Sequence, residues 1–167
     1  MRPRIKVEKQ LPDVVLEVAG ILAILTTVVV TAFYWSELPD RIPSHFNAAG
    51  EPDDWSSKWI AWVLPILQVV IYAAISRLLK SPHILNYPIE ITEKNAHRQY
   101  RSIGRILRFI NTVVAFAFTY ISWSTIRIAL NEESAIGTGR WFLPVFLGLT
   151  IVIPLLIMAI SNSKQSK

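Results

Sequence analysis

Four long apolar runs divide this chain, at Val14 to Trp35, Trp59 to Leu79, Ile103 to Ile126 and Trp141 to Ile160. Their apolar residues are contiguous instead of recurring at i, i+3 and i+4, a pattern in which the whole circumference of a helix faces lipid or other apolar helices. At 1.5 Å per residue, about 20 residues cross the ~30 Å of a bilayer's hydrocarbon, and each run comes close to that length. The pattern predicts an all-α integral membrane protein, a single domain over residues 1–167 with four transmembrane helices. Composition agrees: 52% of residues are hydrophobic, 17% are charged, and the mean hydropathy is +0.39, which do not describe a soluble domain. A basic start (Arg2, Arg4, Lys6, Lys9) also suits a signal peptide. The first run is too long for one, however, and Phe33, Tyr34 and Trp35 make a poor cleavage site, so it is expected to stay as an anchor.

Charge then sets the expected orientation, because loops rich in lysine and arginine resist translocation. The N-terminus, the second loop with its flanks and the C-terminus hold 13 of the 17 basic residues; the opposite side holds only Arg41, Lys58, Arg127 and Arg140. Both termini are therefore expected in the cytoplasm of a cell-membrane, multi-pass protein. Tyr34, Trp35, Trp55, Trp59, Trp123 and Trp141 all fall at the outer boundary, where amphipathic rings favour the headgroup level. The pI near 9.7 thus reflects topology, and no nucleic-acid site is read from it.

Between the first two runs lies a polar, turn-rich stretch, residues 38–58, the expected extracytoplasmic loop. Pro39, Pro43 and Pro52 restrict its backbone, Asn47 and Gly50 suit positive φ, and Ile42 and Phe46 can be pinned against the membrane surface. These features predict an ordered loop, a small β-hairpin of Ile42-Pro43-Ser44-His45-Phe46 against a returning strand or turn. Asp53 or Asp54 is expected to cap a second helix starting near Trp55 or Ser56, with Lys58 in its first turns. His45, Asn47, Asp53, Asp54 and Lys58 form the candidate ligand-binding set. His45 with Asp53 could ligate a divalent metal, but one histidine makes a poor zinc site, and carboxylates in loops are more often caps or solvated charges. No metal site is expected.

The cytoplasmic loop, residues 81–102, shows a β-prone Ile89-Glu90-Ile91 and then Thr92 as an N-cap, so a helix should start at Glu93 and run into the third span. On it Glu93, His97, Arg101, Arg105 and Arg108 share nearly one face, suited to a cytoplasmic protein or anionic lipid; the plainer reading is a solvated face that enforces topology. Within the spans, Gln68 and Asn111 are read as interhelical hydrogen-bonding groups, and Pro65 and Pro154 as kinks. No ionisable pair is placed deep enough for proton-driven transport. Ala129 to Arg140 is read as a plain connector.

The loop LPDRIPSHFNAAGEPDDWSSK, with Pro39, Ile42, Pro43, His45, Phe46, Asn47, Gly50, Asp53, Trp55 and Lys58 in place, resembles the signature of a bacterial membrane family termed domain of unknown function 1648. That domain also forms the N-terminal part of SdpI-type immunity proteins. Asn86 to Tyr100 is similar to the stretch that this family often carries after its second span. The resemblance implies a membrane protein that, in larger members, protects against a secreted toxic peptide and holds a repressor at the membrane; this chain has none of their additional spans.

No cysteine is present, which excludes disulfides, thiolate catalysis and cysteine-ligated zinc. GxSxG, HExxH and glycine-rich phosphate loops are also absent, and neither catalysis nor a cofactor is expected. The expected function is recognition of an external ligand, such as a peptide, toxin or lipid headgroup, with the state carried to a cytoplasmic regulator. The alternatives are a structural scaffold or partner subunit and, after it, a metal-assisted enzyme.

Overall fold

The structure, a computed structural model, describes residues 2–47, 49–131 and 141–163. Helix α1 is Leu11–Tyr34. A hairpin comes next, β1 Arg41–Phe46 and β2 Pro52–Ser57. A 3₁₀ turn, Lys58–Trp62, then leads into α2, Val63–Leu78, and a loop connects to the long α3, Ala96–Ala129. The fourth span comprises α4 (Phe142–Leu147), a π turn (Gly148–Val152) and α5 (Ile153–Ser163). Four helical stretches are long and apolar enough to cross a membrane: Leu11–Tyr34, Lys58–Leu78, Ala96–Ala129 and Phe142–Ala159. This is the architecture of a multi-pass membrane protein.

Helix α1 begins with a capping box. The Asp13 carboxylate accepts the Gln10 backbone N–H at 2.9 Å, and Pro12 occupies a first-turn position where its missing N–H costs nothing. α1 and α3 run parallel and are joined along their length by polar groups. The Thr112 hydroxyl donates to the Leu16 carbonyl at 2.8 Å and the Thr119 hydroxyl contacts the Ala23 carbonyl at 3.0 Å and the Thr27 hydroxyl at 2.8 Å. α2 joins this seam through Gln68, whose amide donates to the Ala115 carbonyl at 2.8 Å, while Asn111 reaches back to the Tyr72 carbonyl at 3.3 Å. In hydrocarbon no water can take these donors, so each of them finds an acceptor on a neighbouring helix.

Gly20 lies where α1 packs against the Tyr72 ring of α2. A Cβ added there would meet Cε2 of Tyr72 at 2.5 Å, and the Tyr72 hydroxyl donates to the Glu17 carbonyl at 2.8 Å. Gly20→Ala is expected to cost about 1–3 kcal/mol by overpacking. Thermal unfolding of the detergent-solubilised protein checks this; an unchanged midpoint would show that Tyr72 yields without loss.

Several boundaries differ from those the sequence suggests. β2 continues through Ser57, so the second helical stretch starts at Lys58 and neither Asp53 nor Asp54 caps it. Pairing across the hairpin holds those residues extended, and the Lys58 amide donates to the Asp40 carbonyl at 2.9 Å. α3 starts at Ala96 instead of Glu93. Its preceding turn is closed by Asn95, which accepts the Thr92 N–H and donates to the Glu90 carbonyl, both at 2.9 Å. Ile89-Glu90-Ile91 forms no strand. Ile91 is buried with Ala96 and Tyr100, in a cluster that also gathers Ile5, Val7, Tyr87 and Ile89. Burial in this cluster pushes the Tyr87 hydroxyl up to about 12, and it donates to the Pro82 carbonyl.

The segment before α1 is extended and stitched to the second loop: Arg2 donates to the His83 and Leu85 carbonyls and lies over the Tyr87 ring, and the Tyr100 hydroxyl donates to the Pro3 carbonyl at 2.9 Å. Pro65 sits in the first turn of α2, where its lost donor is harmless. Pro154 comes just after the π turn, an irregularity of the kind that accommodates a missing i to i−4 bond. The connector from Ala129 to Arg140 lies, from residue 132 onward, outside the described residues.

Candidate functional site

The hairpin is seated by its first strand. Ile42 is fully buried and, with Leu38, Ile126 and Ala129, forms a small apolar core against the end of α3. Irregular register between Pro43, His45 and Phe46 lets the strand bury Ile42 and Pro43 together and still turn His45 outwards. At the tip, the Asn47 side-chain oxygen accepts the N–H groups of Ala49 and Glu51 at 2.8 and 3.1 Å, and Gly50 adopts φ 81°. Asn47 therefore shapes the turn. Such a turn is the use that asparagine and glycine have in common.

The candidate binding residues divide by position. His45 Nδ1 lies 2.6 Å from Asp53 Oδ1, with both side chains substantially exposed, at 68% and 43%, and Ser44 donates to Asp54 at 3.0 Å. Lys58 is elsewhere: its ammonium lies 5.2 Å from the Trp35 ring, in a group where Trp35 also meets Trp59 and Trp62 at 4.8 and 6.0 Å. Trp55 is paired opposite Pro43, and Arg41 donates to the Trp55 carbonyl at 2.6 Å. Among the described residues, no group of three or more histidine, aspartate or glutamate side chains converges as a metal site would require. The hairpin thus offers an exposed imidazole–carboxylate pair, set apart from the tryptophan cluster that holds Lys58.

Beneath it lies a cavity of about 180 Å³, roofed by Pro43, Ser44 and Phe46 and walled by the start of the second span, the end of α1 and the C-terminal part of α3. Two of its wall residues carry buried hydroxyls with no hydrogen-bond partner, Thr31 and Ser122, and these residues are only 0% and 5% exposed. Buried polar atoms are nearly always paired, so two orphans facing one cavity mark a place suited to a polar group or water. Neither residue stood out in the sequence, where isolated threonine and serine in an apolar run are common.

Residues 22–69 match the family model described as Domain of unknown function (DUF1648). The DUF1648 segment runs from the middle of α1 through the hairpin into the middle of α2, and so supplies the cavity's roof and two of its walls, including Thr31. The α3 wall, with Ser122, lies beyond the DUF1648 match. No curated protein and no solved structure gives a match.

At the other end of the bundle the basic face divides. Glu93 lies in the exposed turn before α3, and His97 is exposed beside Arg101, with 3.4 Å between Nε2 and the guanidinium. Arg105 and Arg108 instead turn towards α1, where Arg105 Nε meets Asp13 at 3.1 Å and Arg108 Nε meets Glu17 at 2.8 Å. The Asp13 side chain is only 3% exposed. Lys9 completes the group on Glu17. Ion pairs in this position were not foreseen from the sequence.

Proposed function

We propose that this protein is a membrane-embedded recognition module whose hairpin binds an external peptide or lipid headgroup. The supporting observation is the small cavity under the hairpin, with two unpartnered buried hydroxyls below and an exposed His45–Asp53 pair above. A ligand group entering it would satisfy Thr31 and Ser122, and the His45–Asp53 pair would hold the part that remains outside. The distribution of basic residues supports a hairpin outside the cell membrane and both termini in the cytoplasm. The module is not read as an enzyme. Its resemblance to the N-terminal part of bacterial SdpI-type immunity proteins makes secreted peptides the first ligands to try, with a cytoplasmic regulator as the receiver of the signal.

Tryptophans around the hairpin supply the readout. Purified protein titrated with fractionated secreted peptides should show saturable fluorescence change with at least one fraction. Ser122→Val and His45→Ala should each weaken that response roughly tenfold, the scale of one lost hydrogen bond in a buried site. A wild type blind to every fraction, or variants that respond like it, would overturn the proposal.

A further inference from the structure

A cavity of about 740 Å³ lies at the end opposite the hairpin, between the extended N-terminal segment and α1, α2 and α3. Its lining is graded. Lys6 lies before the start of α1, Lys80 lies beyond the end of α2, and Arg101 is in the second turn of α3. Leu79 lies beside Lys80 at the mouth, and farther into the spans the wall becomes Ser76, Tyr72 and Ile21. Ile21 is one helical turn beyond Glu17, about 6 Å deeper, and it is 47% exposed. The cavity therefore reaches the side of the bundle between α1 and α2, where a membrane-spanning helix meets acyl chains.

Charge within it is unbalanced in one direction. Asp13 and Glu17 also line the cavity, but Arg105 neutralises the first and Lys9 with Arg108 the second. Glu8 is then the remaining carboxylate, against Lys6, Lys80 and Arg101. Arg101 makes the demand for an anion specific. Among the described residues its Nε is buried without a hydrogen-bond partner, and its guanidinium makes a long contact to His97. A guanidinium nitrogen deprived of water and acceptor favours an anionic oxygen, and arginine suits phosphate because it can donate two parallel hydrogen bonds.

A cationic mouth at the helix ends, continuing past Ser76 to Tyr72 and the half-exposed Ile21 at the side of the bundle, has the polarity of a phospholipid. We propose that this cavity binds one anionic phospholipid of the adjoining leaflet, its phosphate held by Arg101, Lys6 and Lys80, its glycerol region beside Leu79 and the start of an acyl chain lying along Tyr72 and Ile21. The site is independent of the hairpin and of the recognition proposed there.

The test uses the full chain in detergent, with native mass spectrometry counting bound phosphatidylglycerol, phosphatidylcholine and glycerol phosphate. One phosphatidylglycerol should be retained with an apparent affinity at least tenfold above phosphatidylcholine, and glycerol phosphate should not compete. Arg101→Gln with Lys80→Gln should lower phosphatidylglycerol affinity at least tenfold, whereas Arg98→Gln, on the exposed face of the same helix, should leave it unchanged. Arg101→Lys, which keeps the charge, should recover part of the loss and so separates lipid binding from a folding defect. Equal retention of the two lipids, competition by glycerol phosphate at equal concentration, or equal effects of the Arg101 and Arg98 substitutions would overturn the proposal.

Discussion

Arg105→Met is expected to lower the thermal unfolding midpoint of the detergent-solubilised protein by roughly 6–12 °C, corresponding to about 3 kcal/mol for stranding a buried charge. The cost arises at Asp13. Its side chain is 3% exposed while that of Arg105 is 39% exposed, so removing the arginine leaves a largely buried carboxylate without its charge partner. The lower part of the range for broken buried pairs applies because solvent screens the guanidinium side. Asp13 also keeps its bond from the Gln10 amide, which limits the loss. Adding Asp13→Asn to Arg105→Met should recover most of the stability, since the neutral amide can still accept that N–H and no charge remains to bury. Arg98→Met serves as the exposed control; a drop equal to that of Arg105→Met would show that the pair contributes nothing.

Ile42→Ala is the second substitution with a large expected effect. Ile42 is 0% exposed and seats the hairpin against Leu38, Ile126 and Ala129, and truncating a buried isoleucine to alanine costs about 2–5 kcal/mol. The hairpin is a two-stranded element, marginal without a surface to pack on, so the loss should concentrate there. Limited proteolysis should cut within residues 38–58 faster in the variant than in the wild type, while Trp55→Ala, which removes a side chain 39% exposed, should change the rate little. Equal cleavage of Ile42→Ala and wild type would mean that the tryptophan cluster, not Ile42, holds the hairpin in place.

Sequence patterns made the spans and the hairpin legible because both depend on local composition: lengths of apolar residues in one case, and restrictive residues such as Pro43, Asn47 and Gly50 in the other. Boundaries were less legible. Asp53 and Asp54 have the right chemistry for a helix cap, but the ladder between the strands keeps them extended, and Thr92 loses the corresponding role to the turn closed by Asn95. The ion pairs were hidden by distance along the chain. Asp13 and Glu17 are spaced i, i+4, and Arg105 and Arg108 i, i+3, so each pair occupies one helix face; only the parallel packing of α1 on α3 brings together partners 91 and 92 residues apart. Complementary spacing was the available signal. The orphan hydroxyls of Thr31 and Ser122 carried none, since nothing local distinguishes them from serine and threonine bonded to their own helix, as Thr26 is.

The bonds between α1 and α3 occur at successive levels, from Asp13–Arg105 to Thr27–Thr119, and they have a mechanical consequence. Sliding one helix past the other by a single turn, about 5.4 Å, would break every one of them together. A piston stroke between these two helices is thus closed off. These contacts couple the two helices as one strut along that length.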